Sequence, residues 1–387
     1  MIGIGISTGI RALALANSWN IMPLRIIIVG AGLIGPRHAQ SVLSNPSTEL
    51  VALVDPASSG ARVASQLQTE HFPSVPAMLA AIPKPDAAII CTPNHTHVPI
   101  ATELLSHGIH ILTEKPLSDS VESAQSLLAF ARRPENAHLT VLVGHHRRFN
   151  PYVRAAKEIL DSNSLGTVIA VNGLWTLYKP EAYFAPPTDW RRVRPSGGVI
   201  PINLVHDIDT LQYLFGPITR VHAERTPRQR ANPPHEVEEG AALILRFASG
   251  VVGTFLVCDV TPSPHNFEMG TGENPLIPGP PGASEGGGGA DFYRIFGSEA
   301  CLSVPDMTRW SYDGRAEKSW TEQLAVERFE VDQKAAPFDL QLAHFVEVIA
   351  GREPPRCSGE DGLRALMVCE GVRRALETGE AVDLPVI

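Results

Sequence analysis

The chain has 387 residues, of which 44% are hydrophobic and 19% charged, and its formal net charge is -9. This composition excludes a disordered or collagen-like protein, and the acidic balance lacks the clustered lysines and arginines that nucleic-acid binding requires. Because single hydrophobic cores stop growing at about 250–300 residues, the length predicts two domains. Five cysteines without a CxxC pair predict free thiols in a reducing compartment, so we expect a cytoplasmic protein.

Residues 1–21 differ in composition from the rest of the chain. They contain Arg11 and several small polar residues but no acidic residue, which fits an unstructured extension or, alternatively, a transit peptide for import into an organelle. Arg11 interrupts the apolar run that a secretory signal needs. No other stretch approaches the roughly 20 apolar residues of a membrane span, so no membrane association is expected.

The next segment has the pattern of a nucleotide-binding unit. Residues 24–29 form a nearly continuous apolar run, which predicts a parallel strand buried on both faces. The sequence GAGLIG, from Gly30 to Gly35, follows at once and leads into a predicted helix. A second apolar run at 50–54 ends at Asp55. Strand, glycine turn, helix, strand and acid in this order predict a Rossmann dinucleotide-binding domain.

Each residue of the glycine turn has a predicted task. Gly30 permits the tight turn, Gly32 lets the backbone approach a pyrophosphate, and Gly35 lets the helix pack closely on the strand. Leu33 and Ile34 lie where the backbone N–H groups at the start of the helix are offered to the phosphates. The alternative is a glycine turn that joins two elements without a ligand.

Asp55 is predicted to accept a hydrogen bond from the adenosine ribose of the cofactor. A carboxylate at this position repels a 2′-phosphate, so NAD is the expected cofactor and NADP is disfavoured. A solvated strand end is the alternative interpretation of Asp55.

The alternation of strands and helices continues along the chain. Strands are predicted at 87–91, 109–113 and 139–143, and a polar cluster follows each of them. The carboxyl ends of parallel strands form the ligand-binding edge of such a sheet. These clusters supply further predicted cofactor contacts: Thr92, Asn94, His97, Glu114 and Lys115. His97 also lies on an apolar helical stripe, so packing is its alternative role.

Four motifs together carry a family resemblance: GAGLIG at 30–35, TPNHTH at 92–97, EKP at 114–116 and GHHRRFNP at 144–151. They resemble motifs of the Gfo/Idh/MocA family of NAD(P)-dependent oxidoreductases, and residues 197–209 resemble the catalytic helix of that family. The resemblance implies a Rossmann domain at 22–149 and an α/β domain at 150–387 with an open, mostly antiparallel sheet. That sheet is expected to form the substrate floor and the interface of a homodimer or homotetramer.

The chemistry of alcohol oxidation indicates which residues act. The reaction needs a base for the hydroxyl proton, a donor that steadies the oxygen, and a nicotinamide. Lys115, at a strand end, is expected to relay the proton or to donate to the oxygen; a solvated loop lysine is the alternative. His206 is expected to be the base, with a core histidine or a helix cap as the alternative.

The chain departs from the family pattern beside this histidine. Many members have an Asp four residues before it, where this chain has Ile202. Asn203, three residues before His206 on a predicted helix, is expected to orient a substrate hydroxyl. Asp207 is predicted to be a surface charge of that helix, and the resemblance implies a structural role for Asp209.

Residues 261–290 are rich in proline and glycine and are predicted to form a loop. Its four consecutive glycines, Gly286 to Gly289, lack a following helix and do not predict a phosphate site. In the family an equivalent loop borders the substrate pocket. Substrate-binding candidates are therefore Arg147 from the GHHRRFNP motif and, with a solvated loop as the alternative, Asn266, Glu268, Glu273 and Asn274.

The sequence thus predicts an NAD-dependent dehydrogenase that oxidises a secondary hydroxyl of a sugar, a cyclic polyol or a related hydroxy acid. Two alternatives share the fold: an NAD-dependent glycosidase, which oxidises only transiently, and a non-catalytic regulator that binds dinucleotide and a partner protein. Retention of Lys115 and His206 argues against the regulator. No metal is expected, because no ligand spacing such as HExxH connects the candidate ligands His95, His97, His145, His146 and His206.

Overall fold

The computed structural model describes residues 22–194, 196–274, 276–279, 290–332 and 336–387. The predicted N-terminal extension and the four consecutive glycines of the insertion lie outside the described residues. No helix in the described part of the chain is long and apolar enough to cross a membrane.

The first layer is a six-stranded sheet in the order β3-β2-β1-β4-β5-β6, and every neighbouring pair is parallel. This confirms the predicted Rossmann sheet. Its strands are β1 (Leu24–Val29), β2 (Thr48–Val54), β3 (Glu70–Phe72), β4 (Ala87–Ile90), β5 (His110–Thr113) and β6 (Val141–Val143). Its connecting helices are α1 (Gly35–Ser44), α2 (Ser58–Gln66), α3 (Val75–Ala81), α4 (His97–Ser106) and α5 (Val121–Ala131).

The second layer is a nine-stranded sheet in the order β14-β13-β12-β11-β7-β10-β9-β8-β15. Only the β7–β10 pair is parallel among the strand pairs described, which confirms the expected mostly antiparallel sheet. Its strands are β7 (Val168–Thr176), β8 (Ile218–Arg225), β9 (Gly240–Phe247), β10 (Val252–Cys258), β11 (Tyr293–Gly297), β12 (Ala300–Val304), β13 (Thr308–Ser311), β14 (Ala325–Arg328) and β15 (Val382–Asp383). The helices of this half are α6 (Pro151–Asp161), α7 (Val205–Phe215), α8 (Phe267–Thr271), α9 (Pro337–Ile349) and α10 (Gly359–Thr378).

One face of this nine-stranded sheet packs against the hydrophobic core of the C-terminal half. The other face, which we call the outer face, is exposed. A row of paired residues crosses the outer face from strand to strand: Val326, Trp310, Cys301, Phe296, Ala170 and Val252. Paired residues on neighbouring strands share a face of the sheet. Val326, Trp310, Phe296 and Val252 are each exposed. The outer face therefore presents an apolar stripe.

Helix α9 does not pack on the sheet that precedes it in the chain. Its Leu342 and Phe345 are fully buried in the cluster that also contains Ile26 and Ile28 of β1 and Val42 of α1. A segment from the C-terminal part of the chain thus completes one face of the Rossmann core.

Candidate active site

The glycine turn has the geometry that the sequence predicts. Gly30 has a φ of 105°, and a Cβ there would lie 2.6 Å from the carbonyl oxygen of Cys91. A Cβ at Gly35 would lie 2.0 Å from the carbonyl oxygen of Gly30, so only glycine lets α1 pack this closely. At Gly32 an ideal Cβ meets no described atom within 4 Å. The backbone at Gly32 therefore borders open space, as the approach of a pyrophosphate requires.

A cavity of about 590 Å³ adjoins this turn. Gly30, Gly32, Asp55 and Thr92 line it, together with apolar side chains such as Val75. The Asp55 carboxylate accepts hydrogen bonds from the backbone N–H of Ala31 (2.7 Å) and of Ala57 (2.8 Å). A carboxylate at the end of β2, an open glycine turn and an apolar cavity fit the adenosine end of a dinucleotide.

His97 holds two loops together and is not open to the cavity. Its Nδ1 lies 2.8 Å from the carbonyl oxygen of Pro116, and its Nε2 lies 2.8 Å from that of Thr92. The side chain is buried, and both ring nitrogens are committed to the backbone. These contacts fit the packing role, which is the alternative interpretation of His97. Asn94 opens a short 3₁₀ segment directly before His97.

Glu114 is a buried carboxylate tied to helix α1. Its Oε1 lies 2.8 Å from Nε2 of His38, and its Oε2 accepts from the backbone N–H of Lys115 at 3.1 Å. Burial raises the pKa of Glu114, but the hydrogen bond and charge of His38 and the charge of Lys115 outweigh burial and lower it to about 2. Glu114 therefore holds the loop that carries Lys115.

Lys115 extends from the end of β5 towards the C-terminal half of the chain. Its Nζ donates to the carbonyl oxygen of Ile202 at 3.3 Å. Burial lowers the pKa of Lys115 to about 8, although the charge of Glu114 opposes the shift. An ammonium group with this pKa can give up and regain a proton near neutral pH.

His206 lies in the first turn of α7, which directly follows a π-helical turn formed by Ile200–Leu204. Its side chain is buried, and its Nδ1 has no hydrogen-bond partner within the described ranges. Burial lowers the pKa of His206 well below 6.5, and the charges of Lys115 and Arg147 lower it further. The imidazole is therefore neutral at pH 7, next to Lys115 from the other half of the chain.

The π-helical turn corrects the prediction for Asn203. The residue lies in that turn and not in a regular α-helix, so the predicted spacing of three residues on one helical face does not apply. Its Oδ1 accepts a hydrogen bond from Nζ of Lys179 at 2.6 Å. The Asn203 side chain is thus engaged by a lysine, and the expected role of orienting a hydroxyl is not what the geometry favours.

Lys179 is a site residue that the sequence did not reveal. It follows β7 closely, is buried, and lies 3.4 Å from Oδ2 of Asp259 and 4.6 Å from the ring centre of Tyr183. Burial lowers its pKa to about 8, and the Asp259 carboxylate opposes that shift. Its position after a strand was the only signal in the sequence.

Two arginines of the GHHRRFNP motif form buried ion pairs. Arg147 bonds to Asp207 at 3.1 Å and to Glu268 at 2.8 Å, so the guanidinium predicted to bind substrate is paired inside the protein. Asp207 is fully buried, and its prediction as a surface charge was wrong. Arg148 donates to both oxygens of Asp209, at 2.9 and 2.7 Å, which agrees with a structural role for Asp209.

Asn266 is the N-cap of α8, a short helix within the segment 261–290 that was predicted to be a loop. Its Oδ1 accepts from the backbone N–H of Met269 at 2.9 Å, and its Nδ2 donates to the carbonyl oxygen of Thr176 at 3.1 Å. The side chain is fully buried at the start of α8. These contacts give Asn266 a structural role as the N-cap of α8.

Three imidazoles meet at the end of β6. The ring centroid of His206 lies 6.2 Å from that of His145 and 5.5 Å from that of His146. Nε2 of His146 lies 2.8 Å from Oε1 of Glu273, which comes from the insertion. In the part of the chain that the structure describes, no group of three or more His, Cys, Asp or Glu side chains is arranged to hold a metal ion.

Comparisons with known proteins identify the family and the fold. The Gfo/Idh/MocA model "Oxidoreductase family, NAD-binding Rossmann fold" matches residues 24–145, and the model "Oxidoreductase family, C-terminal alpha/beta domain" matches residues 157–384. An inositol 2-dehydrogenase of Rhizobium meliloti (strain 1021) is 24% identical over 363 residues, which cover 94% of this chain and 100% of the relative. A scyllo-inositol 2-dehydrogenase (NAD(+)) of Bacillus subtilis (strain 168) is 29% identical over 63% of this chain and 70% of the relative.

Solved structures show the same fold. The WlbA dehydrogenase of Bordetella pertussis, crystallised with NADH and UDP-GlcNAcA, superposes with a TM-score of 0.73 at 20% identity. The alignment covers 94% of this chain and 100% of the solved chain. A likeness at this identity establishes the fold alone.

Proposed function

The chain belongs to the Gfo/Idh/MocA family of oxidoreductases, and from this premise we propose that it is an NAD-dependent dehydrogenase acting on a secondary hydroxyl of a sugar, cyclic polyol or related hydroxy acid. The observation that carries the proposal is the meeting of Lys115 and a neutral His206 at one site, each supplied by a different half of the chain. The names of the inositol dehydrogenase relatives support the substrate class.

The two side chains have complementary protonation states for this reaction. A bound nicotinamide would supply the acceptor for the hydride of the alcohol carbon. His206, with a pKa well below 6.5, is ready to accept the hydroxyl proton at neutral pH. Its Nδ1 is buried, so Nε2 is the nitrogen assigned to the substrate. Lys115, with a pKa of about 8, is still largely protonated there and donates to the substrate oxygen.

A panel of substrates tests this function. Polyols, pyranose sugars and sugar acids are offered with NAD while NADH absorbance is followed, and nitrophenyl glycosides are offered in parallel. A dehydrogenase forms NADH in step with product. Release of nitrophenol without net NADH would instead indicate the glycosidase, and NAD binding without turnover of any compound would indicate the regulator.

Asp55 carries the prediction about cofactor choice. We expect NAD to bind more tightly than NADP, because the carboxylate repels a 2′-phosphate. In Asp55→Ala the preference for NAD, measured as the Kd for NADP divided by the Kd for NAD, should fall about tenfold. NAD affinity should also fall somewhat, since the hydrogen bond from Ala31 is lost. Calorimetric titration measures both constants, and equal affinities in the unmodified protein would contradict the prediction.

The outer face of the second sheet supports the proposed homodimer or homotetramer. Its exposed stripe of Val326, Trp310, Phe296 and Val252 is apolar, and a second copy of the chain would cover it. Trp310→Glu is expected to give a smaller particle by light scattering, because it places a charge in that interface. Trp320→Glu is the matched control, since Trp320 is more exposed but lies outside the strands of the sheet. A monomeric unmodified protein would refute the assembly.

A further inference from the structure

Two lysines from different halves of the chain bond to neighbouring residues of the π-helical turn Ile200–Leu204. Nζ of Lys115 donates to the backbone carbonyl oxygen of Ile202 at 3.3 Å. Nζ of Lys179 donates to Oδ1 of Asn203, the next residue, at 2.6 Å. Lys115 belongs to the proposed reaction, whereas Lys179 has no part in it. The turn therefore joins a lysine of the reaction to a lysine outside it.

The turn is held by side chains from other segments. It contains Pro201, which has no N–H group to donate, and the backbone bonds of a π-helical turn span five residues instead of four. Oε1 of Glu238 accepts from the backbone N–H of Ile200 at 3.1 Å and so anchors the start of the turn. The bond from Lys179 anchors the part of the turn that carries the Ile202 carbonyl.

Lys179 is itself held on several sides. It is buried, and its backbone N–H donates to the carbonyl oxygen of Asp259 at 2.9 Å. The Asp259 carboxylate lies 3.4 Å from Nζ and accepts from Arg230 at 2.6 Å, while Arg230 also donates to the Lys179 carbonyl oxygen at 3.0 Å. The ring centres of Tyr183 and Trp175 lie 4.6 and 5.3 Å from Nζ, within the range of cation–π contacts. The ammonium group is thus a donor in a fixed position.

A carbonyl oxygen in a fixed position stabilises the charged form of Lys115. Burial lowers the pKa of Lys115 to about 8, and a hydrogen bond that favours the ammonium form opposes that change. Charged and titratable groups also face Lys115 from its own loop and from the elements packed around it: Glu114, His97, His145, Arg147, His206, Glu268 and Cys369. Ile202 and Asn203 carry no charge, so they act on Lys115 through position alone.

We infer that Lys179 is a positioning residue, which holds Asn203 and through it the π-helical turn, so that the Ile202 carbonyl is presented to the Lys115 ammonium group. The inference rests on the proposed role of Lys115 as the donor to the substrate oxygen. In this role Lys179 acts on the reaction through two other residues and need not touch the substrate.

The titration of the lysine side chains tests the inference without any substrate. It is followed by NMR of the Cε signals in protein labelled with ¹³C-lysine. The chain has six lysines, so the signals of Lys115 and Lys179 can be assigned by their loss in Lys115→Met and Lys179→Met.

Asn203→Leu removes the acceptor of Lys179 without changing any charge. We expect the midpoint of the Lys115 titration to move from about 8 to lower pH, by roughly one pH unit, because the ammonium group loses its carbonyl acceptor. The matched control is Asn136→Leu, in which a buried asparagine outside the site loses its bond to the Phe130 carbonyl. The control should leave the Lys115 midpoint in place.

Lys179→Met breaks the same link from its other end. Loss of the Lys179 charge alone would move the Lys115 midpoint to higher pH, whereas loss of position moves it to lower pH, so the direction separates the two causes. We expect the shift to lower pH, and the double variant with Asn203→Leu should titrate no lower than either single variant. Asn203→Asp keeps an acceptor for Lys179, so Lys115 should there titrate no lower than in the unmodified protein.

Two outcomes would overturn the inference: an unchanged Lys115 midpoint in a folded Asn203→Leu protein, or a midpoint moved to higher pH in Lys179→Met. Should Asn203→Leu fail to fold, Lys179→Met decides.

With an active substrate, both variants should lower kcat about tenfold with little change in KM, and the alkaline limb of kcat/KM should move to lower pH. A raised KM with unchanged kcat would instead show that these side chains bind the substrate directly, which also overturns the positioning role. If the midpoints move as expected but no compound is oxidised, the proposed function fails and the positioning of Lys115 stands.

Discussion

Replacing Lys115 by alanine is expected to lower turnover by roughly a hundredfold or more while NAD binding persists. The lysine lies at the end of β5 and bonds to Ile202, away from the cavity beside the glycine turn that fits the adenosine end of the cofactor. Its pKa of about 8 also predicts a pH dependence of the reaction. Because the protonated form donates to the substrate oxygen, kcat/KM should fall as pH rises through about 8, and this alkaline limb should be absent from the variant.

Stopped-flow turnover and a fluorescence titration with NAD measure the two halves of this expectation. Lys84→Ala is a suitable control, because Nζ of Lys84 also donates to a backbone carbonyl, that of Gly108 at 3.1 Å, but on the exposed surface. Full activity in Lys115→Ala would remove the lysine from the mechanism.

Replacing His206 by alanine is expected to remove most of the rate, about a hundredfold to ten-thousandfold, together with the acidic limb of the pH profile. The neutral imidazole is the active form, so activity is lost as pH falls through the pKa of His206. Burial and the nearby cations Lys115 and Arg147 put that pKa well below 6.5, so the limb should lie at distinctly acidic pH.

The pH dependence of kcat/KM in the unmodified protein and in His206→Ala checks this expectation. His110→Gln serves as the control, because His110 lies at the start of β5, at the edge of the sheet opposite the site. If His206→Ala retained activity and the acidic limb, the histidine would be structural, and the proton would have to leave through Lys115.

The Rossmann half could be predicted because its signals are local. Each buried strand is a continuous apolar run, and the side chains that follow it reach the same edge by the geometry of a parallel sheet, which located Lys115. The strand β3 was missed since three residues, two of them polar, show no periodicity. Helix α2 was missed because its serines and glycine give a weak helical signal.

The second half depends on contacts between distant segments. The pairing of β7 with β10, and of β11 with β7, joins strands that the chain separates widely, and no local pattern encodes it. Lys179 reaches the site only through that arrangement. Asp207 is likewise buried among partners from distant segments: it pairs with Arg147 and accepts a hydrogen bond from the Tyr293 hydroxyl at 2.5 Å. The residue type alone, without these partners, suggested a surface charge.

The position of α9 has a consequence for how the chain is made. Ile26 and Ile28 emerge early from the ribosome, but Leu342 and Phe345, which cover them, are synthesised near the end. One apolar face of the nascent nucleotide-binding half therefore stays uncovered until α9 has been synthesised. This half cannot complete its core before the C-terminal part of the chain is made. An apolar face that stays uncovered during this interval favours aggregation of the growing chain.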